Sequence, residues 1–186
     1  MKASCWRTST RCSGDHELER DEDTVRCLAL PIVGGQILVP NAMVAEVFAA
    51  DEVTPAAGGP NWLLGTLTWR GRVLPLVCME AAVGGSPLEV GRRSKVVVMN
   101  AFTASAPLEN FAVLVQGIPH QVLATDHTVQ LETPINGARP FVAADLSVEG
   151  ELAFVPDMDA VEKALLDAAD AWRRAGTAGG RENASS

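Results

Sequence analysis

The residues with the most chemical potential in this chain are Cys78, Glu80, Asp126, His120 and His127. A thiol with an imidazole base and a carboxylate to orient it would be a nucleophilic constellation. Nothing in the sequence brings these five together. A cysteine in an apolar run is more often a small core hydrophobe than a nucleophile, so a cysteine-dependent enzyme is the weakest of three readings. Cys5, Cys12 and His16 are metal-ligand types, but they offer three ligands where structural zinc takes four. The four cysteines, with Cys27, show no C-x-x-C spacing, and free thiols are expected in a reducing compartment. Gly34-Gly35 and Gly58-Gly59 do not open a helix with a lysine, so neither is a phosphate loop. We therefore expect no catalytic residues, no metal and no cofactor.

Charge narrows the partners. The net charge of −8 disfavours nucleic acid and anionic lipid. No apolar run reaches the ~18 residues of a membrane helix, and Met1–Ser13 lacks the apolar stretch of a secretory signal. A cytoplasmic protein without direct membrane insertion is expected. The acidic residues Glu149, Glu151, Asp157, Asp159, Glu162, Asp167 and Asp170 cluster near the C-terminus. They read as a solvated face, with a docking surface for a basic partner as the other possibility.

The elements that must position any site are short. Apolar runs alternate with turn signals, the pattern of an all-β domain, and a 47% hydrophobic share supplies a core. Strands are expected at Val25–Val33, Gln36–Val39, Leu63–Trp69, Val73–Met79, Lys95–Asn100, Phe111–Val115, Gln121–Ala124, Val129–Leu131, Phe141–Ser147 and Glu151–Val155. Ala42–Phe48 is a short helical or extended stretch, and Asp51–Pro60 a loop. Lys95–Asn100 is expected to pair with Phe111–Val115. Pro75 and Pro119 lack a ladder donor and belong at edges, strand starts or bulges. A helix over 158–174 follows from Val161, Leu165, Ala168, Ala169 and Trp172 on one face, with Asp159 as N-cap, Glu162 at N3 and Arg173 and Arg174 at its end. It is expected to cap a barrel end. Residues 1–24 and 175–186 read as disordered extensions.

One segment stands apart: Trp62 to Val77, a hairpin with apolar flanks and Arg70-Gly71 at its apex. Gly71 supplies the positive φ of a tight turn. Leu63 and Leu64 read as core, and Trp62 as the better exposed anchor. Together with Val44-Ala45-Glu46-Val47 and Asp51-Glu52-Val53-Thr54-Pro55, the run Leu64-Gly65 … Trp69-Arg70-Gly71-Arg72-Val73-Leu74-Pro75-Leu76 resembles CheW-like chemotaxis adaptors over about 25–170. The resemblance implies two SH3-like five-stranded β-barrel subdomains with a C-terminal α-helix, placed at about 35–90 and at 91–150 plus strand 25–33.

It also implies a scaffold that couples the signalling tip of a methyl-accepting chemoreceptor to the regulatory domain of a CheA-type histidine kinase. Glu46 and Arg70 would form an ion pair holding a receptor groove lined by Val44, Val47, Trp62 and Leu64. The kinase would meet a barrel edge at Val73, Leu74, Leu76 and Val77. Cys78-Met79-Glu80 replaces the family's usual Asp-Leu-Arg. With Trp69 and Pro40-Asn41, this looks like the subgroup serving type IV pili and twitching motility. The third reading is a small SH3-like ligand-binding module unrelated to chemotaxis.

Overall fold

The run Lys-Val-Val-Val-Met-Asn has no polar face, so a strand built from it must be covered on both sides. The computed structural model, which describes residues 24–50, 53–56, 58–102, 108–133 and 137–179 (side chains of 171–179 excepted), shows how. Twelve strands are seen among the described residues: β1 (Val25–Ile32), β2 (Gly35–Pro40), β3 (Val44–Ala49), β4 (Thr54–Pro55), β5 (Leu63–Trp69), β6 (Arg72–Cys78), β7 (Lys95–Asn100), β8 (Asn110–Val115), β9 (His120–Ala124), β10 (Val129–Leu131), β11 (Val142–Val148) and β12 (Glu151–Pro156). They form two sheets, in the orders β10-β11-β12-β2-β1-β9 and β3-β7-β8-β6-β5-β4. Each sheet has five strands of five residues or more and one shorter strand at an edge. Each also joins two antiparallel triplets through one parallel seam, β12 on β2 and β6 on β8.

Alternation sends each strand's two faces to different cores. Cys27, Ala29, Leu38, Val122, Leu146, Val148 and Ala153 fill the interior of the first sheet. Leu67, Leu74, Leu76, Val96, Val98, Ala112 and Leu114 fill that of the second. The opposite faces, including Leu30, Val39, Val97, Met99, Phe111 and Val113, form a third cluster between the sheets. Val97 and Val98 therefore serve different cores although adjacent. The result is the all-β fold of two SH3-like barrels with a C-terminal helix.

The division of the chain differs from the expected one. β2, expected in the 35–90 barrel, pairs with β1 and β12 in the other sheet. β7 and β8, expected in the 91–150 barrel, join β3 and β6. One sheet thus spans 44–115 continuously, and the other is built from 25–40 and 120–156. The chain enters through a single hairpin (β1–β2), and turn signals carry no record of which sheet that hairpin joins.

Other expectations meet their outcomes locally. The hairpins β5–β6, β7–β8 and β11–β12 pair as read. Pro75 precedes Leu76, where β6 begins to pair with β8, so its missing donor costs no ladder bond on that side. The stretch after Pro40 is a single 3-10 turn, Asn41–Met43, leading into β3. A short helix α1 (Met79–Ala82), not expected, follows β6.

The terminal helix α2 runs over Met158–Gly179, past the expected end at 174. Ala175 and Ala178 favour helix, and no proline stops it. Its N-cap is Asp157, which accepts the Ala160 amide at 3.0 Å, in place of Asp159. Glu162 is not a solvated N3 carboxylate: it is buried and accepts the Phe102 amide at 2.5 Å. Val161 and Leu165 join the cluster between the sheets, so α2 seals that core and does not cap a barrel end. The side chains of Trp172, Arg173 and Arg174, and the segments 1–23 and 180–186 with Cys5, Cys12 and His16, lie outside the described residues.

Candidate functional site

β3 and the β5–β6 turn are far apart in sequence yet meet through side chains. A register shift between Val44 and Glu46 puts an extra residue in β3, and such a bulge re-aims the side chain beside it. Glu46 Oε2 accepts two donors, Trp69 Nε1 at 2.9 Å and Arg70 Nη2 at 2.8 Å. The Arg70 guanidinium also lies 4.8 Å from the centroid of the Trp69 ring, within cation–π range. Arg70 and Gly71 both have positive φ, 49° and 77°, the backbone of a two-residue hairpin turn. For a non-glycine residue that conformation costs about 1–2 kcal/mol. The turn keeps an arginine there, its guanidinium engaged by Glu46 and Trp69. The Glu46 carboxyl is held below its usual range, chiefly by the Trp69 N–H. Partial burial opposes this, and Arg70 adds to it by hydrogen bond and charge.

Sequence reasoning reached Glu46 and Arg70 but not Trp69 as the third member. The available signal was an indole next to the turn arginine, a ring able both to donate and to stack.

The other expected groove residues are not gathered around this clasp. Val44 packs against the core between the sheets, Leu64 against the interior of the second sheet, and Val47 is exposed on the opposite face of β3 from Glu46. Trp62 is no exposed anchor: it is half-buried, its ring edge-on to Phe141 at 5.8 Å. The expected kinase edge is also corrected. Leu74 and Leu76 fill a barrel interior, Val77 fills the core between the sheets, and only Val73 is open, at 69%. β6 is an interior strand of its sheet; the edges are β3 and β4.

A different apolar surface is present. A groove of 680 Å³ runs between the β5–β6 hairpin and α2, walled by Leu63, Val73, Leu74, Leu108, Leu165 and Leu166. Arg72 closes one rim, paired with Glu109 at 2.5 Å and with Asn110 Oδ1 at 3.3 Å. The clasp holds the tip of the hairpin that forms one wall.

The constellation around Cys78 does not resemble an activated thiol. Cys78 is fully buried, its S–H donates to Glu80 Oε2 at 3.3 Å, and burial pushes the thiol up, the reverse of what a nucleophile needs. His120 and His127 are exposed on β9 and the turn after it. No three His, Cys, Asp or Glu side chains among the described residues are grouped to hold a metal ion. No described helix is long and apolar enough to cross a membrane.

Comparison with known proteins agrees with this fold. The family model for the CheW-like domain matches residues 26–165. A protein of Rhizobium meliloti (strain 1021) named chemotaxis protein CheW is 27% identical over 132 residues, covering 69% of this chain and 82% of that protein. The crystal structure of the scaffolding protein TtCheW from Thermoanaerobacter tengcongensis is similar with a TM-score of 0.58 at 12% identity, covering 72% of this chain and 88% of that one.

Proposed function

The chain belongs to the CheW-like domain family, and we propose that it is a non-catalytic cytoplasmic adaptor coupling a methyl-accepting chemoreceptor to a CheA-type histidine kinase. The observation that carries this reading is the clasp of Glu46, Trp69 and Arg70 at the tip of a hairpin whose flank walls an apolar groove. A groove of that make receives the apolar face of an amphipathic helix, and the helical signalling tip of a receptor is such a partner. Val73, Leu108 and Leu166 supply the accessible apolar wall, and the clasp fixes where the hairpin stands.

The kinase needs a separate surface. β3 lies at a sheet edge and exposes Ala45, Val47 and Ala49 on one face. An edge strand offers both apolar side chains and unpaired backbone groups, so the regulatory domain of the kinase docks there. Each contact is modest alone, and the signalling array supplies avidity. Cys78-Met79-Glu80, Trp69 and Pro40-Asn41 support a place in the pilus-linked, twitching-motility branch of these systems. Pilus genes beside its own gene support that branch; flagellar genes there overturn it.

Calorimetry with the isolated partners tests the two surfaces. A receptor signalling-tip fragment should lose affinity on Val73→Asp, at the open wall of the groove, and keep it on Val47→Asp, and the kinase regulatory domain should show the reverse. Loss of both by either variant, or of neither by both, refutes the assignment.

A further inference from the structure

A second pocket, of 570 Å³, opens among the β1–β2 turn, α1 and the strands β11 and β12. That volume lies within the about 300–1,000 Å³ of small-ligand sites. Its charged lining is Glu80, Glu132, Asp145 and Arg139. Arg139 is already paired with Asp145, which leaves two carboxylates without a cation among the described residues.

Glu80 is the unusual one. It is 6% exposed, and its carboxylate receives only uncharged donors: the Val33 amide at 3.2 Å and the Cys78 thiol at 3.3 Å. Three residues beyond Val33 on the same hairpin, Gln36 is 7% exposed and lines the same pocket. Its side-chain N–H donates to Glu151, while its Oε1 has no donor among the described residues. Buried acceptors are rarely left so, and a buried carboxylate without a counter-charge is costlier still.

We infer that this pocket binds a guanidinium group, seated between the Glu80 carboxylate and Gln36 Oε1. Among the described residues Gln36 Oε1 lacks a donor, and Glu80, though it accepts two uncharged donors, lacks a positive charge. A guanidinium supplies up to five N–H donors in a planar fork that can serve two acceptors at once, and it gives up water more readily than an ammonium. The group comes either from a free arginine-like molecule or from an arginine side chain of a partner. The site stands apart from the clasp and its groove, sharing no lining residue with that groove. It depends on no assumption about chemotaxis.

The test is an NMR titration of the ¹⁵N-labelled full chain with methylguanidinium, free L-arginine and N-acetyl-arginine methylamide. Saturable shifts are expected at Val33, Gly34, Gly35 and the Gln36 side-chain amide. Glu80→Gln should weaken binding at least about tenfold, the scale of a lost hydrogen bond to a charged group. Asp126→Asn, outside the pocket, should leave binding unchanged. If Glu80→Gln does not fold, Glu132→Gln on the exposed wall is read in its place, with a loss of about threefold. Binding of the blocked arginine identifies a protein side chain as the source; binding of free arginine alone identifies a small molecule. The inference is overturned if no probe gives saturable shifts, if the substitutions leave them unchanged, or if tetramethylammonium reproduces them.

Discussion

Gly65→Ala is the substitution whose cost the structure defines best. Gly65 lies in β5 with φ of 154°, beside a register shift and under the edge strand β4. A Cβ added there would stand 2.9 Å from the Thr54 carbonyl carbon and 3.0 Å from Pro55 Cα, and closer still to the Thr54 carbonyl oxygen. All three are backbone atoms, so no side chain can rotate away. If β4 holds its place, the overlap is a small-to-large insertion costing about 1–3 kcal/mol, with backbone strain of about 1–3 kcal/mol in a region side chains avoid. If β4 moves off, it loses its pairing at Thr54 and Pro55 and the Ala56 amide's 3.0 Å bond to the Leu64 carbonyl. At about 1 kcal/mol for each hydrogen bond, that route costs on the order of 2 kcal/mol, to which the same backbone strain at residue 65 is added. Either route gives a loss of about 3–5 kcal/mol, or a urea midpoint lower by roughly 1–3 M at typical slopes. Hydrogen exchange identifies the route: the Ala56 amide loses protection when β4 detaches. A loss under about 0.5 kcal/mol, within the range of neutral surface changes, with that amide still protected, would refute the reasoning.

Trp69→Phe removes the leading cause of the lowered Glu46 carboxyl, so that pKa should rise in a carboxyl-carbon NMR titration. The sign for stability follows from a depressed folded value. The Glu46 contribution is fully present above its ordinary 4.5 and is lost as pH falls through the lowered value. Trp69→Phe should therefore flatten the acid limb of the stability profile, which urea unfolding at stepped pH will read. Leu165→Ala, at 3% exposure, should cost about 2–5 kcal/mol by thermal or urea unfolding. Cys78 should react with an alkylating reagent only at the rate of unfolding, because it is fully buried and its thiol is raised; prompt labelling by mass spectrometry would contradict the burial.

Strand positions were legible because period-2 patterning and turn residues are local properties. β7 and β10 coincide with their expected limits, and the Arg70-Gly71 turn lies where glycine and the apolar flanks indicate. Sheet membership was not legible. Val96, Val97 and Val98 are chemically alike, yet they divide between two cores, and nothing in their side chains says which. The same degeneracy hid the burial of Leu74, Leu76 and Val77: an apolar strand looks the same at an edge and in a sheet interior. Trp62 was misplaced because an indole suits both an interface and a half-buried core, and the choice was made by Phe141, almost eighty positions away in the chain. The Glu46–Arg70 pair came from family resemblance, and no local rule links β3 to the hairpin tip. Its indole donor Trp69, and the groove against α2, became visible only once the chain was folded.

The central claim is that one molecule of this protein joins a receptor tip to a kinase. Analytical ultracentrifugation of the three components measures it directly. The account predicts that a receptor fragment and a CheA-type kinase lacking its own receptor contact sediment separately, co-sediment when this chain is added, and separate again when it carries Arg70→Glu. Co-sedimentation that is independent of the chain, or a complex unaffected by Arg70→Glu, would contradict it.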